Sequence, residues 1–232
     1  MLVLILIYFG LIERSSVNMR KSAKRKYDST SRSEAAKTTR ELIINSARAI
    51  FLEKGYAAAT MPAIAMAAGT ALDTVYATVG KKPALFRLLI EMAISGSDRA
   101  LPAEERDYVR AIRAETDAAR KLRLYAAALG RIQPRLAPLI RVLQGAASLD
   151  SELEALWRTI SQRRADNMRL LAKDLAATGR LRSGLSESKA ADIIWSMNSP
   201  EFYLLLVEQR GWSLQEYERW LGDAWIQLLL EP

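Results

Sequence analysis

The chain has 232 residues, of which 50% are hydrophobic, enough to bury the core of one large domain or two small ones. It contains no cysteine and no histidine, which excludes disulfides, thiol nucleophiles, Cys/His zinc sites and histidine general bases. The densest acidic run, Glu104-Glu105-Asp107, is typical of a solvated helix face. The sequence therefore predicts a protein that is not an enzyme and has no cofactor.

The net charge of +8 is concentrated near the start of the chain. Residues 1–90 contain 14 Lys/Arg and 6 Asp/Glu, whereas residues 91–232 contain 20 of each. This asymmetry indicates an N-terminal part that faces a polyanion and a neutral C-terminal part with another role. Nucleic acid is favoured over a membrane surface as that polyanion, because of the helices described below.

Residues 1–37 are predicted to form an N-terminal extension. The apolar run MLVLILIYFGLI is shorter than the roughly 18 residues that a spanning helix needs, so no stable membrane insertion is expected. We interpret residues 1–18 as an over-long start assignment, with a genuine peripheral anchor as the alternative. Residues 20–37 are rich in Lys, Arg and Ser, which predicts a flexible basic arm that either solubilises the protein or contacts DNA. We expect a cytoplasmic protein.

Folded structure is predicted to begin near Thr38, with four helices up to residue 95. Apolar residues recur at helical spacing from Ile43 to Phe51, and Lys54-Gly55 supplies a cationic last turn and a stop. Thr60 is predicted to cap a second helix that ends at Gly69. A third helix is predicted from about Leu72 to Val79, and Pro83 suits the first turn of a fourth.

The second and third helices have the pattern of a helix-turn-helix unit. Ala65 lets the two helices approach, Gly69 can adopt the turn conformation, and Val75 fills the inner angle between them. The second helix of such a unit enters the major groove of DNA. The basic pair Lys81-Lys82 follows directly.

Residues 38–95 resemble the N-terminal domain of the TetR family of bacterial transcriptional regulators. The matching positions, in chain order, are Ala47, Phe51, Gly55, Tyr56, Thr60, Ile64, Ala65, Ala68, Gly69, Thr74, Tyr76, Lys82 and Leu85. The resemblance implies that Thr60 caps the second helix and touches a phosphate, and that Thr74 and Tyr76 lie at the DNA surface. It also implies that Lys82 meets a backbone phosphate.

Four positions depart from the family pattern. The family usually has serine at Ala71, glycine at Asp73 and a His-Phe pair at Thr78-Val79. Without the serine a cap worth roughly 1 kcal/mol is absent, although Thr70 is placed to cap one residue earlier. These departures leave the predicted fold intact but prevent the operator sequence from being carried over.

The candidate DNA-binding residues fall into two groups. We expect Thr70, Leu72, Asp73 and Ala77 to face base edges, and Thr60, Tyr76, Lys81 and Lys82 to position the backbone, with Thr74 at the same surface. Two such units in a homodimer would read a near-palindromic site in double-stranded DNA.

Residues 96–232 are predicted to be helical as well. Pro134 and Pro138 predict bends, Ser151 with Glu154 forms the pattern of a capping box, and Ser213 with Glu216 forms a second one. Ser199-Pro200-Glu201 either kinks a helix that Ser186 opens or starts a new one. The fold class is therefore all-α with about nine helices: a helix-turn-helix domain at 38–95 and a ligand-binding and dimerisation domain at 96–232.

The C-terminal domain carries two further expectations. Its last helices, at about 186–210 and 213–230, are apolar enough to predict a two-fold interface, although these stripes could also be ordinary core. The resemblance implies a repressor that a small-molecule effector releases from DNA. Candidates for the pocket wall are Tyr125, Trp157, Met168, Trp195, Met197 and Asn198. The alternative function is a basic helical protein that binds a membrane surface through its N-terminus.

Overall fold

The structure is a computed structural model that describes residues 17–97, 99–148 and 150–232. The apolar run at the N-terminus lies outside the described residues. In chain order the α-helices are α1 Val17–Ala58, α2 Met61–Ala67, α3 Leu72–Val79, α4 Lys82–Ser95, α5 Asp107–Ala114, α6 Ala118–Ala147, α7 Ser151–Ala176, α8 Glu187–Met197, α9 Pro200–Tyr203 and α10 Leu214–Leu229. A 3₁₀ turn precedes α5 at Ala103–Glu105, and a π-helical segment follows α9 at Leu204–Gln209.

The all-α prediction is confirmed. The described part of the chain contains no strand, only one isolated antiparallel bridge between Leu181 and Leu230. It holds ten α-helices rather than about nine. The difference arises partly because the polypeptide breaks at Ser199-Pro200, where Ser199 accepts a hydrogen bond from the Phe202 amide and starts α9.

Helix α1 starts much earlier than the sequence pattern predicts. Residues 20–37 were expected to be a flexible arm, but α1 begins at Val17 and runs through them. The exposed stretch 32–38 has no apolar stripe that would reveal a helix, yet its Ala, Lys, Arg and Glu residues are good helix formers. Once the buried part of α1 exists, adding such residues needs no new nucleus. Gly55, at φ 74°, interrupts α1 near its end.

The first core joins α1 to α4 and extends into the next domain. Phe86 contacts Phe51 and Tyr56 edge to face, with ring centroids 4.9 and 5.3 Å apart. The same apolar cluster includes Leu139, Ile140 and Leu143 of α6 and the first turns of α7. The N-terminal domain therefore packs on α6 and α7 through α1 and α4.

Helix α6 is the central element of the C-terminal half. It packs against α1, α4, α5, α7, α9 and α10. Pro134 and Pro138, expected to bend the chain, lie inside this single 30-residue helix. Its tertiary packing outweighs the backbone hydrogen bonds that the two prolines remove. Gly130 faces the Glu218 side chain of α10, with which a Cβ at this position would collide.

Most of the predicted helix caps are present. Thr60, Ser186 and Ser213 each accept a hydrogen bond from a backbone amide in the first turn of their helices, and Ser213 forms the expected capping box with Glu216. At α7 the predicted cap is one residue out of place. Asp150 rather than Ser151 caps this helix, accepting from the amides of Glu152 and Leu153 at 2.9 and 3.2 Å.

Candidate nucleic-acid interface and ligand cavity

A tight turn joins α2 to α3 and sets the angle between them. Gly69, at φ 65°, follows the last turn of α2, and its amide donates to the Met66 carbonyl at 3.2 Å. The Thr70 amide donates to the Ala65 carbonyl at 3.0 Å. These two bonds form a Schellman motif, which needs a left-handed residue at the Gly69 position. Any other residue there would be strained.

Helix α3 is held by its apolar face and lacks a side-chain cap. Val75 and Val79 are buried in the N-terminal core. The N-cap residue is Ala71, which makes no side-chain hydrogen bond, so the expectation that Thr70 substitutes as cap is wrong. The carboxylate of Asp73 lies in the first turn, where the partial positive charge of the helix end favours it.

The opposite face of α3 is open to solvent. Asp73 and Ala77 are exposed, and Tyr76 is 43% exposed despite its apolar ring. Thr70 and Thr74 are half-buried at the edge of this face. Leu72 is also half-buried and packs against the core, so only part of its side chain remains available.

The cationic and capping residues flank α3 on either side. Thr60 is exposed and its hydroxyl accepts from the Ala63 amide at 3.2 Å. Lys81 is exposed at the N-cap of α4. We use the name α3 face for the exposed residues of α3 and the two exposed residues that flank the unit: Asp73, Tyr76, Ala77, Thr60 and Lys81.

Lys82 is the least free of the predicted contacts. Its ammonium donates to the Ala57 carbonyl at 3.3 Å and lies 4.3 Å from the centre of the Tyr56 ring. Burial lowers the pKa of Lys82, and the Asp150 carboxylate partly opposes that shift. Burial, together with Asp150 and Glu152, raises the pKa of Tyr56 to about 12. Lys82 therefore holds the end of α1 against α4.

The geometry of this unit agrees with a family comparison. Residues 43–89 match the family model described as bacterial regulatory proteins, tetR family. The N-terminal domain belongs to the TetR family. No curated protein sequence matches the chain significantly. Among the described residues, no helix is both long and apolar enough to cross a membrane.

Solved structures extend the likeness beyond the TetR-family domain to most of the fold. NalD of Pseudomonas aeruginosa, the secondary repressor of the MexAB-OprM multidrug efflux pump, is 21% identical with a TM-score of 0.65, over 85% of this chain and 98% of its own. A transcriptional regulator from Saccharomonospora viridis in complex with choline is 17% identical with a TM-score of 0.63, over 86% and 100%. SmeT in complex with triclosan is 19% identical with a TM-score of 0.58, over 83% and 92%.

A cavity of about 100 Å³ lies in the C-terminal half, beneath the TetR-family domain. Side chains from α4 to α9 line it, among them Ile94, Leu129 and Ile160. A larger groove of about 370 Å³ adjoins it. The two share Arg106, Tyr108, Tyr125 and Asn167 as a common wall.

The structure places three of the six predicted pocket residues in the cavity wall. These are Tyr125, Trp157 and Asn198. Met168 lies behind them, where its sulfur accepts from the Asn198 amide at 2.9 Å. The indole of Trp195 lies under Arg164, 4.7 Å from its guanidinium carbon. Met197 is buried in the core and does not line the cavity.

Pattern reasoning missed the polar residues of this wall. Gln133 and Arg164 both line the cavity, and both stand within apolar rows of their helices. Arg164 lies four residues from Ile160 and from Met168, and Gln133 lies four residues from Leu129. A polar side chain at an inward-facing position of an amphipathic helix is the signal that could have identified them.

Proposed function

We propose that this protein is a DNA-binding transcriptional repressor that acts as a homodimer and is released from its operator by a small-molecule ligand. The single observation that carries the DNA-binding part is the α3 face: a short helix, anchored by Val75 and Val79, that presents Asp73, Tyr76 and Ala77 to solvent. A helix offered in this way is the element that reads a major groove.

The flanking groups of the α3 face suit the phosphate backbone. Lys81 is free to reach a phosphate, and Thr60 presents an exposed hydroxyl at the start of α2. Phosphate contacts of this kind fix register and orientation, whereas base-edge contacts carry sequence information. Lys82 supports the interface by joining α4 to the end of α1, because its ammonium already donates to the Ala57 carbonyl.

The test is selection of bound sequences from random duplex DNA, followed by affinity measurements on the recovered site. We expect a near-palindromic site whose affinity falls steeply with salt. Tyr76→Ala and Lys81→Ala should weaken binding, and Lys81→Ala should reduce the salt slope by about 1 for each phosphate that the lysine neutralises. Both residues are exposed, so both variants should keep the fold.

The matched control is Lys173→Ala, which removes an exposed lysine from α7, away from both the α3 face and the proposed dimer helices. It should bind the selected site like the parent protein. Recovery of no enriched sequence, or equal losses for Lys81→Ala and Lys173→Ala, would contradict the DNA-binding proposal.

The homodimer proposal is supported by exposed leucines near the C-terminus of the chain. Leu205, Leu214 and Leu228 are each 41–50% exposed in the isolated chain. Sedimentation should show a dimer, and the double variant Leu205→Glu with Leu228→Glu should sediment as a monomer. Leu170→Glu, at a 59% exposed position on α7, is the control that should remain dimeric.

The ligand-release proposal is supported by the cavity and by its contact with α4. Ile94 of α4 lines the cavity, and Glu91 of the same helix binds the lining residue Arg163. The choline and triclosan complexes concern relatives with the same fold. A ligand that binds one arrangement of α4 more tightly would shift the equilibrium between two orientations of the α3 face. The size of this shift is set by the difference in the ligand's affinity for the two arrangements.

A further inference from the structure

The cavity carries more positive charge than its own residues neutralise. Three arginines line it, and none of the described lining residues is acidic. Two of the three arginines have hydrogen-bond acceptors within the chain. Arg163 forms two hydrogen bonds to Glu91, at 2.8 and 3.1 Å, and Arg106 donates to the Leu101 carbonyl at 3.1 and 2.9 Å.

Arg164 differs from these two arginines. Within the described chain no carboxylate lies within 4.0 Å of its guanidinium, and its buried Nε has no hydrogen-bond partner. Its guanidinium carbon lies 4.7 Å from the centre of the Trp195 ring. Burial lowers the pKa of Arg164, but a guanidinium remains protonated in proteins. The cavity therefore holds a desolvated cation without an ion-pair partner.

The negative charge of Glu201 acts to raise the pKa of Arg164, but the two side chains do not form a salt bridge. One Glu201 oxygen accepts from Gln144 Nε2 at 2.5 Å. Desolvation acts to raise the pKa of Glu201, yet hydrogen bonds from Gln144, its own backbone and Ser199, together with the positive charge of Arg164, outweigh it, so the pKa is lowered. Glu201 thus acts on Arg164 only at a distance and leaves its donors open.

Two buried amide oxygens beside this cation are also without partners. Gln133 is 1% exposed and Asn198 is 2% exposed, and both Gln133 Oε1 and Asn198 Oδ1 lack a donor within the described chain. Their nitrogens are already used: Gln133 donates to the Asn198 carbonyl at 2.9 Å, and Asn198 donates to the Tyr125 hydroxyl at 2.8 Å. The oxygens are therefore fixed as acceptors.

These groups surround one space. Tyr125 connects them, because its hydroxyl accepts from Asn198 and also interacts electrostatically with Arg164. The rest of the wall is mostly apolar and includes Leu129, Ile132 and the ring of Trp157. A cation, two acceptors and an apolar surface specify an occupant more narrowly than an apolar pocket alone would.

We propose that the cavity binds a small organic carboxylate with an apolar body and one O–H or N–H donor. The carboxylate pairs with Arg164, the donor binds Gln133 or Asn198, and the apolar body fills the space against Leu129 and Ile132. A cavity of roughly 150 Å³ accommodates benzene, so a one-ring body needs the 100 Å³ cavity together with the adjoining groove of about 370 Å³. This inference rests on the proposed function in one respect: it names the chemical class of the ligand that the proposed function places in this cavity.

The experiment measures direct binding by calorimetry, without DNA. The probes are 4-hydroxybenzoate, benzoate and hexanoate, each compared with its uncharged amide. We expect at least one acid to bind at least ~10-fold more tightly than its amide, because a charge-assisted hydrogen bond to arginine distinguishes the two. Arg164→Gln should abolish this preference. Arg158→Gln, at a 70% exposed side chain on the same helix, should leave it unchanged.

A second measurement applies to the ligand-free protein. Because the Arg164 cation is desolvated and unpaired, Arg164→Met should melt no lower than the parent, and a fall in melting temperature would argue for a structural role. Gln133→Leu should reduce the advantage of 4-hydroxybenzoate over benzoate.

Two results would overturn the proposal: none of the acids binds, or acids and amides bind equally well. If none of the acids binds, water alone is the occupant that these polar groups hold. If acids and amides bind equally well, the cavity binds small molecules but Arg164 does not select a carboxylate. Operator binding measured on the same preparations separates this from failure of the proposed function. Operator binding without acid binding refutes the ligand class alone, whereas acid preference without operator binding refutes the repressor.

Discussion

Glu91 is the position where the TetR-family domain is most directly tied to the cavity wall. Its carboxylate receives two hydrogen bonds from Arg163, at 2.8 and 3.1 Å, and lies 3.8 Å from Arg106. The Glu91 and Arg106 side chains are only 16% and 7% exposed, whereas Arg163 is 52% exposed. Glu91→Gln keeps the shape of the side chain and removes its charge.

The expected loss follows from these contacts. A hydrogen bond to a charged group contributes about 1.5–3 kcal/mol, and the exposure of Arg163 reduces its share because solvent screens it. We therefore expect Glu91→Gln to lower the free energy of unfolding by about 1–2 kcal/mol. For a chain of this size that corresponds to a fall in melting temperature of about 2–8 °C.

The assay is thermal denaturation of Glu91→Gln, Arg163→Gln and the double variant. The two positions are in contact, so the double variant should be more stable than the sum of the single effects predicts, by at least about 0.5 kcal/mol. Arg158→Gln on the same helix serves as the control, because its ion pair with Glu154 is exposed. Additive effects, or a Glu91→Gln melting temperature equal to that of the parent, would refute the reasoning.

Three further predictions concern stability. Gly130→Ala should be neutral or destabilise by up to about 2 kcal/mol, since overpacking against Glu218 opposes the gain in helix propensity. In a Glu218→Ala background the same substitution should stabilise by about 1 kcal/mol. Chemical denaturation of the four proteins shows whether the sign of the effect reverses. Thr60→Ala should cost about 1 kcal/mol through loss of the α2 cap, while Thr60→Ser should retain stability in the same assay. The Lys121 side chain is 3% exposed and its ammonium lies 2.7 Å from the Asp174 carboxylate. Lys121→Ala should therefore lower the free energy of unfolding in urea by about 2–4 kcal/mol, and Lys121→Met should lower it clearly less. Equal losses for the two variants would contradict a role for the aliphatic stem.

The TetR-family domain was readable from sequence because its determinants are local. The interval from Thr60 to Gly80 contains a cap, two glycines in left-handed conformations and a buried valine, and each acts on residues within one or two turns. Such signals fix where a helix begins and ends before any long-range contact is known. The cap of α7 was misplaced by one residue because Asp150 and Ser151 are both good N-cap residues, and only geometry distinguishes them.

The helical arm and the cavity could not be predicted in the same way. The residues before Thr38 have no apolar periodicity, so composition favoured disorder although they continue α1. In the cavity, contacts such as that between Gln133 and Asn198 join residues 65 positions apart. Asn198 was among the predicted pocket residues, but Arg164 and Gln133 were not, because size alone favours aromatic and methionine residues as candidates.

Helix α4 connects the α3 face with the cavity. Its N-terminal end lies at the α3 face, where Lys81 caps it, and its C-terminal end lies at the cavity, where Ile94 forms part of the wall. Arg135 of α6 donates to the Ala93 carbonyl at 3.3 Å, and Arg48 of α1 donates in turn to the Arg135 carbonyl at 3.1 Å. A rigid helix of 14 residues moves as one unit, so a shift of its C-terminal end must be expressed at the α3 face. The Glu91 variants test this connection, because they loosen α4 from the cavity wall without altering any residue of the α3 face.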